Sequence, residues 1–424
     1  MGRPVGQGRP ALRSVNAPPQ IFVVADDLTG ACDAASPFAS MGLTVVTWQL
    51  SGGLAADVLA VSTGSRHLAA VEAATRNREA VQRAGALWGA PGPTWIYKKI
   101  DSTLRGHPGA ELGAIMAALD ISRALVAPAF PAQGRTTVGG RQLVDGRPLE
   151  ETAFGRDVES SDVAALFRRW ARNAPLRRIA LETVRSGAGA ICQALKAAGP
   201  ALFVADAETE TDLAALAQGV RASNLRLLCG SAGLSRALGQ ALKLATAVAG
   251  PDLPVPPRAP VLVIAGSRHP STLRQVEAAR QQGAAVVQAR DAVLSMAGEP
   301  TPGLTVEHAA AHLAGGRDVV LATGGLEESP LGALDVARRL GQLAAALLAR
   351  GQVGGLVLTG GDTALAACLA MDSRALWLQG EIEPGIAVGR LLGSRWPGLP
   401  VITKAGGFGT DQALVLAINR LHSG

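Results

Sequence analysis

The apolar run Ile21–Ala25 is followed by the polar turn Asp26-Asp27-Leu28-Thr29-Gly30 and then by a helical-looking stretch at 31–41. This is a strand, loop, helix unit. Short apolar runs return at 45–48, 58–61, 95–97, 125–127 and 225–228, separated by Ala-rich helical segments such as 68–84 and 162–171. Such alternation predicts largely parallel sheet covered by helices.

Between residues 248 and 260 the rhythm stops: Gly250-Pro251 is followed by Pro254, Pro256, Pro257 and Pro260, a stretch that cannot continue a helix. Strands restart at 261–264, 318–321, 355–358 and 399–403, and a last helix begins near Asp411. A chain of 424 residues exceeds what one core usually organises. The expected fold is therefore α/β, with two α/β domains of largely parallel sheet and an interdomain active-site cleft. The divisions are a flexible tail at 1–19, a first domain at 20–247, a Pro-rich linker at 248–260 and a second domain at 261–424. No internal sequence repeat stands out.

Hydrophobic residues make up 48% and charged residues 17% of the chain, which excludes a chain kept disordered by charge. The net charge is +6, but the basic residues are scattered and aromatic residues are only 3%, so small anions fit better than nucleic acid. Cys32, Cys192, Cys229 and Cys368 have no CxxC spacing, which points to reduced thiols. The tail carries Arg3, Arg9 and Arg13 without an apolar stretch, and no run is long enough to span a membrane. These features place the protein in the cytoplasm, with no membrane or nucleic-acid partner; a homo-oligomer stays open.

In open α/β sheets ligands collect beyond the carboxyl ends of strands. The first such loop holds Asp26 and Asp27 just before a helix. One carboxylate can cap that helix; the second then needs another partner. The second loop reads Lys98-Lys99-Ile100-Asp101-Ser102-Thr103-Leu104-Arg105-Gly106-His107, mixing cations, a carboxylate and hydroxyls suited to an acidic polyol. A Lys99–Asp101 ion pair on a solvated turn is the bland alternative. Residues 129–157, with Gln133-Gly134-Arg135-Thr136-Thr137 and Gly139-Gly140, are polar and Gly-rich enough to close over a substrate or to be an idle flap. Gly230-Ser231-Ala232-Gly233 reads as tight packing.

The rear half places Gly266-Ser267-Arg268-His269, Thr323-Gly324-Gly325, Thr359-Gly360-Gly361-Asp362-Thr363 and Lys404-Ala405-Gly406-Gly407 after strands. Glycine lets backbone approach phosphate oxygens, and helix N-termini favour anions, so together these loops suggest a polyphosphate site. Neither GxxxxGK[ST] nor a GxGxxG fingerprint with its acidic residue is present. His308 and His312 read as surface histidines, since HAAAH lacks the glutamate of a zinc protease.

The segments ADDLTGACDAA, KKIDSTLRGHPGAELGA, GSAGLSRAL, LTGGDTALA, EIEPGIAVGRL and KAGGFG occur in order over nearly the whole chain after the tail. They resemble the four-carbon acid sugar kinases, the family of threonate, erythronate and 3-oxo-tetronate kinases. The resemblance implies a sugar acid on the first domain, ATP with Mg²⁺ on the second, and transfer to the terminal hydroxyl. It implies Asp26 and Asp27 as catalytic candidates, with Lys99, Asp101, Ser102 and Arg105 as substrate-binding residues. Ser267, Gly360, Gly361, Asp362, Thr363, Gly406 and Gly407 become nucleotide-binding residues, and the metal ligands stay unassigned. The chain differs from the usual family pattern at His107-Pro108, Ser267-Arg268-His269, Ala405 and Ala387-Val388. A dinucleotide-dependent oxidoreductase and a non-catalytic sugar-acid sensor are the alternatives on such a scaffold.

Overall fold

Along the first strand, β1 (Ile21–Ala25), alternate side chains enter different cores: Ile21, Val23 and Ala25 on one face, Phe22 and Val24 on the other. An uninterrupted apolar run is what a strand covered on both faces requires. The structure is a computed structural model that describes residues 19–50, 56–88, 92–156, 158, 160–171, 174–242, 251–254, 258–290, 293, 304–323, 331–351 and 353–423. Residues 1–18 of the expected tail at 1–19, linker residues 248–250 and 255–257, and Gly324 and Gly325 lie outside them.

The first half contributes β1, β2 (Thr44–Thr47), β3 (Val58–Ser62), β4 (Trp95–Lys99) and β5 (Arg123–Ala127). A separate small sheet follows, β6 (Arg135–Val138), β7 (Arg141–Val144) and β8 (Arg147–Pro148), and then β9 (Leu176–Ile179), β10 (Ala201–Ala205) and β11 (Leu227–Gly230). The second half contributes β12 (Val261–Ala265), β13 (Ala285–Gln288), β14 (Val319–Ala322), β15 (Gly355–Thr359), β16 (Ala375–Glu381), β17 (Ile386–Leu392) and β18 (Pro400–Lys404).

Fifteen of these form one sheet in the order β13-β14-β12-β15-β18-β17-β16-β2-β3-β1-β4-β11-β5-β10-β9. The two parallel sets are thus joined edge to edge, through β16 lying antiparallel to β2. Within each set the first four strands share one arrangement, β2-β3-β1-β4 and β13-β14-β12-β15. The chain moves outward to one side of its first strand and then crosses to the other, which opens a crevice at the carboxyl end of β1 and another at that of β12. Antiparallel pairs β2–β16, β16–β17 and β17–β18 reverse the sense of the second set. Twist of about 20–25° per strand pair accumulates across this joint and turns the two crevices toward each other.

Helix α1 (Leu28–Ala35) is buried along its whole length and packs against both halves. It begins three residues before the sequence pattern suggests, because Asp27 caps it, and gives way to a short 3₁₀ turn at Ser36–Phe38, where Pro37 supplies no N–H. The expected strand at 225–228 lies two residues further on as β11, after Asn224 closes the preceding helix in a left-handed conformation (φ 61°). Further helices used below are α2 (Ala70–Trp88) and α3 (Pro108–Ala118). Among the described residues no helix is long and apolar enough to cross a membrane.

Candidate active site

Asp26 and Asp27 leave β1 at the first crevice. Asp27 is the N-cap of α1: its Oδ1 accepts from the Gly30 N–H at 2.6 Å and its Oδ2 from the Thr29 hydroxyl at 3.1 Å. Asp26 is held differently, with both oxygens accepting from Arg66, Nε at 2.8 Å and the second guanidinium nitrogen at 2.9 Å. The remaining nitrogen of Arg66 donates to Asp27 Oδ2, and Asp101 Oδ2 lies 3.8 Å from the same guanidinium. Arg105 completes the cluster with donors at 2.5 and 3.1 Å from Asp101 Oδ2. Three buried carboxylates are therefore bound by two arginines, and the bidentate geometry is the strong form of this contact.

The charges follow from that arrangement. Burial alone would raise Asp26, but Arg66, Lys98 and Lys99 reverse it and hold the carboxyl below the ordinary carboxylate range. Burial likewise opposes ionisation of Asp101, and Arg105, Arg66 and the Thr103 hydroxyl overcome it, leaving this carboxyl well below the usual range. Asp101 shapes its own loop by accepting from Thr103 N at 2.7 Å and from the Thr103 hydroxyl at 2.6 Å, while Leu104 takes a left-handed φ of 61°. That turn brings Arg105 back over Asp101. The Lys99–Asp101 pair, the bland alternative for this turn, gives way to these arginine contacts.

Lys98 and Lys99 leave β4 toward opposite faces. Lys98 is fully buried, 2.7 Å from Glu111 on α3, and Glu111 accepts from Ser65 at 2.5 Å. Asn77 on α2 donates to the same Ser65 at 3.3 Å. This network fixes the loop that carries Arg66. Lys98→Met should leave Glu111 as an uncompensated buried charge, costing about 3 kcal/mol; thermal or urea unfolding checks it, and an unchanged midpoint would remove the network from the account.

Lys99 instead faces a small cavity, with Asp33 Oδ2 3.9 Å from its ammonium. Burial pushes the Asp33 carboxyl up to about 7, Lys99 pulling it back and Glu381 adding to the rise. Glu381, from the rear half, is paired to Arg236 at 2.5 and 2.8 Å. Ser102 lines the same cavity and its carbonyl accepts from Gln142 of the β6–β8 sheet at 2.7 Å. The segment 129–157, read as a flap, thus buttresses the loop. Phe130 and Phe408 close the cavity from the two halves, stacked edge to face at 6.1 Å.

The rear half supplies a larger cavity of about 340 Å³. Gly266, Ser267, Gly360, Gly361, Asp362 and Thr363 line one side, and Leu331, Val336 and Ala337 give it an apolar side. Gly360 has φ 97°, which a glycine adopts without strain, and it opens the helix Gly361–Ala370. A Cβ on Gly361 would lie 2.4 Å from Asp27 Oδ2. His67, from the front half, reaches Asp362 Oδ2 at 3.1 Å; hydrogen bonding to that carboxylate raises its imidazole above the ordinary histidine value.

Gly406 and Gly407 lie outside the lining of this cavity, packed against Ser267 and His269. Their neighbours Ala405 and Phe408 face the small cavity instead. Lys404 is buried and donates to the Ala405 and Gly406 carbonyls at 3.0 and 3.2 Å; burial lowers its ammonium to about 7. Gly230 packs on the Ala127 carbonyl, as a packing turn should, while the adjacent Ser231 lines the small cavity. His308 is exposed, and the described residues contain no cluster of three potential His, Cys, Asp or Glu metal ligands.

The two cavities share a wall. Asp27, Arg66 and Arg105 line both. Arg66, His67, Asp33 and Phe408 are not among the residues singled out from sequence. A signal existed for two of them: Gly64-Ser65-Arg66-His67 after β3 repeats the tetrapeptide Gly266-Ser267-Arg268-His269 after β12.

Residues 21–238 match the family model of a sugar-binding N-terminal domain, and residues 262–414 that of a nucleotide-binding C-terminal domain. The chain is 35% identical to the D-threonate kinase of Salmonella typhimurium LT2, over 94% of this chain and 97% of the relative. It is 31% identical to the D-erythronate kinase of Heliobacterium modesticaldum Ice1, over 95% and 97% of the two chains. A solved structure from Salmonella typhimurium LT2 shares the fold, with a TM-score of 0.76 at 24% identity, covering 96% of this chain and all of the other.

Proposed function

The chain belongs to the four-carbon acid sugar kinase family, and on that premise we propose that it transfers the γ-phosphoryl group of ATP to the terminal hydroxyl of a four-carbon sugar acid. The observation that supports this most is the common wall: a group moving between the two cavities must pass Asp27, Arg66 and Arg105. The first domain, 20–247, holds the acid and the second, 261–424, holds ATP.

ATP phosphates would lie against Gly266, Ser267 and the turn Gly360-Gly361, where the following helix offers its N–H groups. The sugar acid would occupy the small cavity with its carboxylate toward Lys99. Its terminal hydroxyl then meets Asp27, which takes the proton as the new O–P bond forms and the bond from the γ-phosphorus to ADP breaks. Arg66 and Arg105 neutralise charge developing on the transferring group, and alignment supplies the rest. Asp26 has both oxygens on Arg66, so its role is to position that guanidinium. Mg²⁺ bound with ATP would offset phosphate charge; it commonly keeps its waters and meets only one or two carboxylates. Of the two carboxylates on the wall of the large cavity, Asp27 and Asp362, Asp362 would be the one to meet that hydrated ion. A cytoplasmic location accords with the composition.

An ADP-release assay over D-threonate, D-erythronate and 3-oxo-tetronate tests the reading. Turnover with at least one acid is expected; nicotinamide reduction without ADP release would establish the oxidoreductase alternative, and binding without either the sensor. Gly361→Ala gives a sharper check. The added methyl must displace Asp27, so kcat should fall by about 10- to 100-fold, and the melting temperature should fall as well because the α1 cap and the Arg66 contact are disturbed.

A further inference from the structure

Asp33 lies within α1, six residues after Asp27, and six helical residues amount to about 9 Å along the axis. It lines the small cavity but not the large one. The residue is 4% exposed, and its Oδ1 is a buried oxygen without a hydrogen-bond partner. A buried acceptor left unmatched is costly, and a native structure that keeps one in a cavity wall is prepared for a donor that arrives with the ligand.

The surroundings define that donor. Lys99 is 3.9 Å away on the Oδ2 side, Glu381 is occupied by Arg236, and beside Oδ1 the rear half places Gly385, whose Cβ would stand 3.3 Å from it. Asp27 is the only other carboxylate of this helix, and it faces the phosphoryl-transfer end. With a substrate carboxylate at Lys99, the group nearest Asp33 is the substituent on the adjoining carbon. We propose that Asp33 is a specificity-determining residue that accepts a hydrogen bond from the C2 hydroxyl of the sugar acid, an inference that rests on the kinase reading above.

The test compares D-threonate or D-erythronate, whichever is turned over faster, with its 2-deoxy and 3-deoxy analogues, both of which keep the carboxylate and the terminal hydroxyl. Asp33→Ala should lower kcat/KM for the parent acid by about 10- to 100-fold and for the 3-deoxy analogue by a similar factor. For the 2-deoxy analogue the loss should stay under about threefold, because the partner is already gone. Asp33→Asn keeps an accepting oxygen of the same shape and should recover most of the parent activity, which separates recognition from folding. Equal losses on all three acids, or no loss on any, would overturn the assignment. If the unmodified enzyme phosphorylates none of the parent acids, the kinase reading fails first and takes this inference with it.

Discussion

Asp27→Asn is expected to reduce kcat by about 10²- to 10⁴-fold with the preferred acid, while the dissociation constant for ATP changes by less than about threefold. The asparagine keeps an oxygen for the Gly30 N–H, so the helix cap survives. What disappears is the proposed proton acceptor at the wall common to both cavities. Rapid-quench or coupled ADP-release kinetics alongside nucleotide titration would measure the two quantities separately. Asp26→Asn should behave otherwise: it weakens the bidentate grip on Arg66, so loss of stability should accompany a smaller loss of turnover. A variant lacking the Asp27 carboxylate that keeps full kcat would remove it from the chemistry.

The cap reading of the Asp26-Asp27 pair is met by Asp27, and the proposed reacting role falls on the same residue. One oxygen of Asp27 caps α1 and the other faces Arg66 and Gly361. This loop and the Lys98–His107 loop were legible because each follows a buried strand, and the carboxyl ends of such strands are where an open sheet exposes its crevice. Arg66 was not, although it also follows a strand. Its partners Asp26, Asp27 and Asp101 are 40, 39 and 35 residues away in the sequence, so no local pattern of opposite charge marks it. The repeated Gly-Ser-Arg-His tetrapeptide was the available sign, and it occurs after β3 in one half and β12 in the other.

The joint between the halves was also hidden. β16 and β17 contain Gly380, Gly389 and Arg390 and lack the unbroken apolar run of the parallel strands. Their conformation comes from antiparallel pairing with β2 and β18, partners hundreds of residues apart or across a turn, and strand formation of that kind depends on neighbours more than on local preference. The contacts of this joint also supply the pieces of the site that sequence did not reveal. Glu381 and Gly385 come from β16 and the turn after it, and Phe408 meets Phe130 across the halves. The candidate loops were readable one at a time, whereas the closure of the small cavity depended on a long-range register.

Arg66→Met should have the largest combined effect. The guanidinium is 14% exposed and touches Asp26, Asp27 and Asp101, so its removal leaves three carboxylates close together with Arg105, Lys98 and Lys99 as the remaining nearby cations. Removing one partner of a buried ion pair costs about 3–5 kcal/mol, and here the upper end is expected because several charges lose the same partner. The pH dependence identifies the cause. Asp26 and Asp101 are depressed below their ordinary value of 3.8, so in the unmodified protein they add stability that is present above about pH 4 and lost as the pH falls through their folded values. In Arg66→Met the Asp26 carboxyl loses its largest favourable partner and its depression weakens, whereas Asp101 keeps Arg105 and the Thr103 hydroxyl. The unmodified protein should therefore lose stability as the pH falls below about 4, and the variant should lose less over the same interval. Unfolding midpoints across that range measure the difference, and parallel curves for the two proteins would show that Arg66 does not hold the cluster electrostatically.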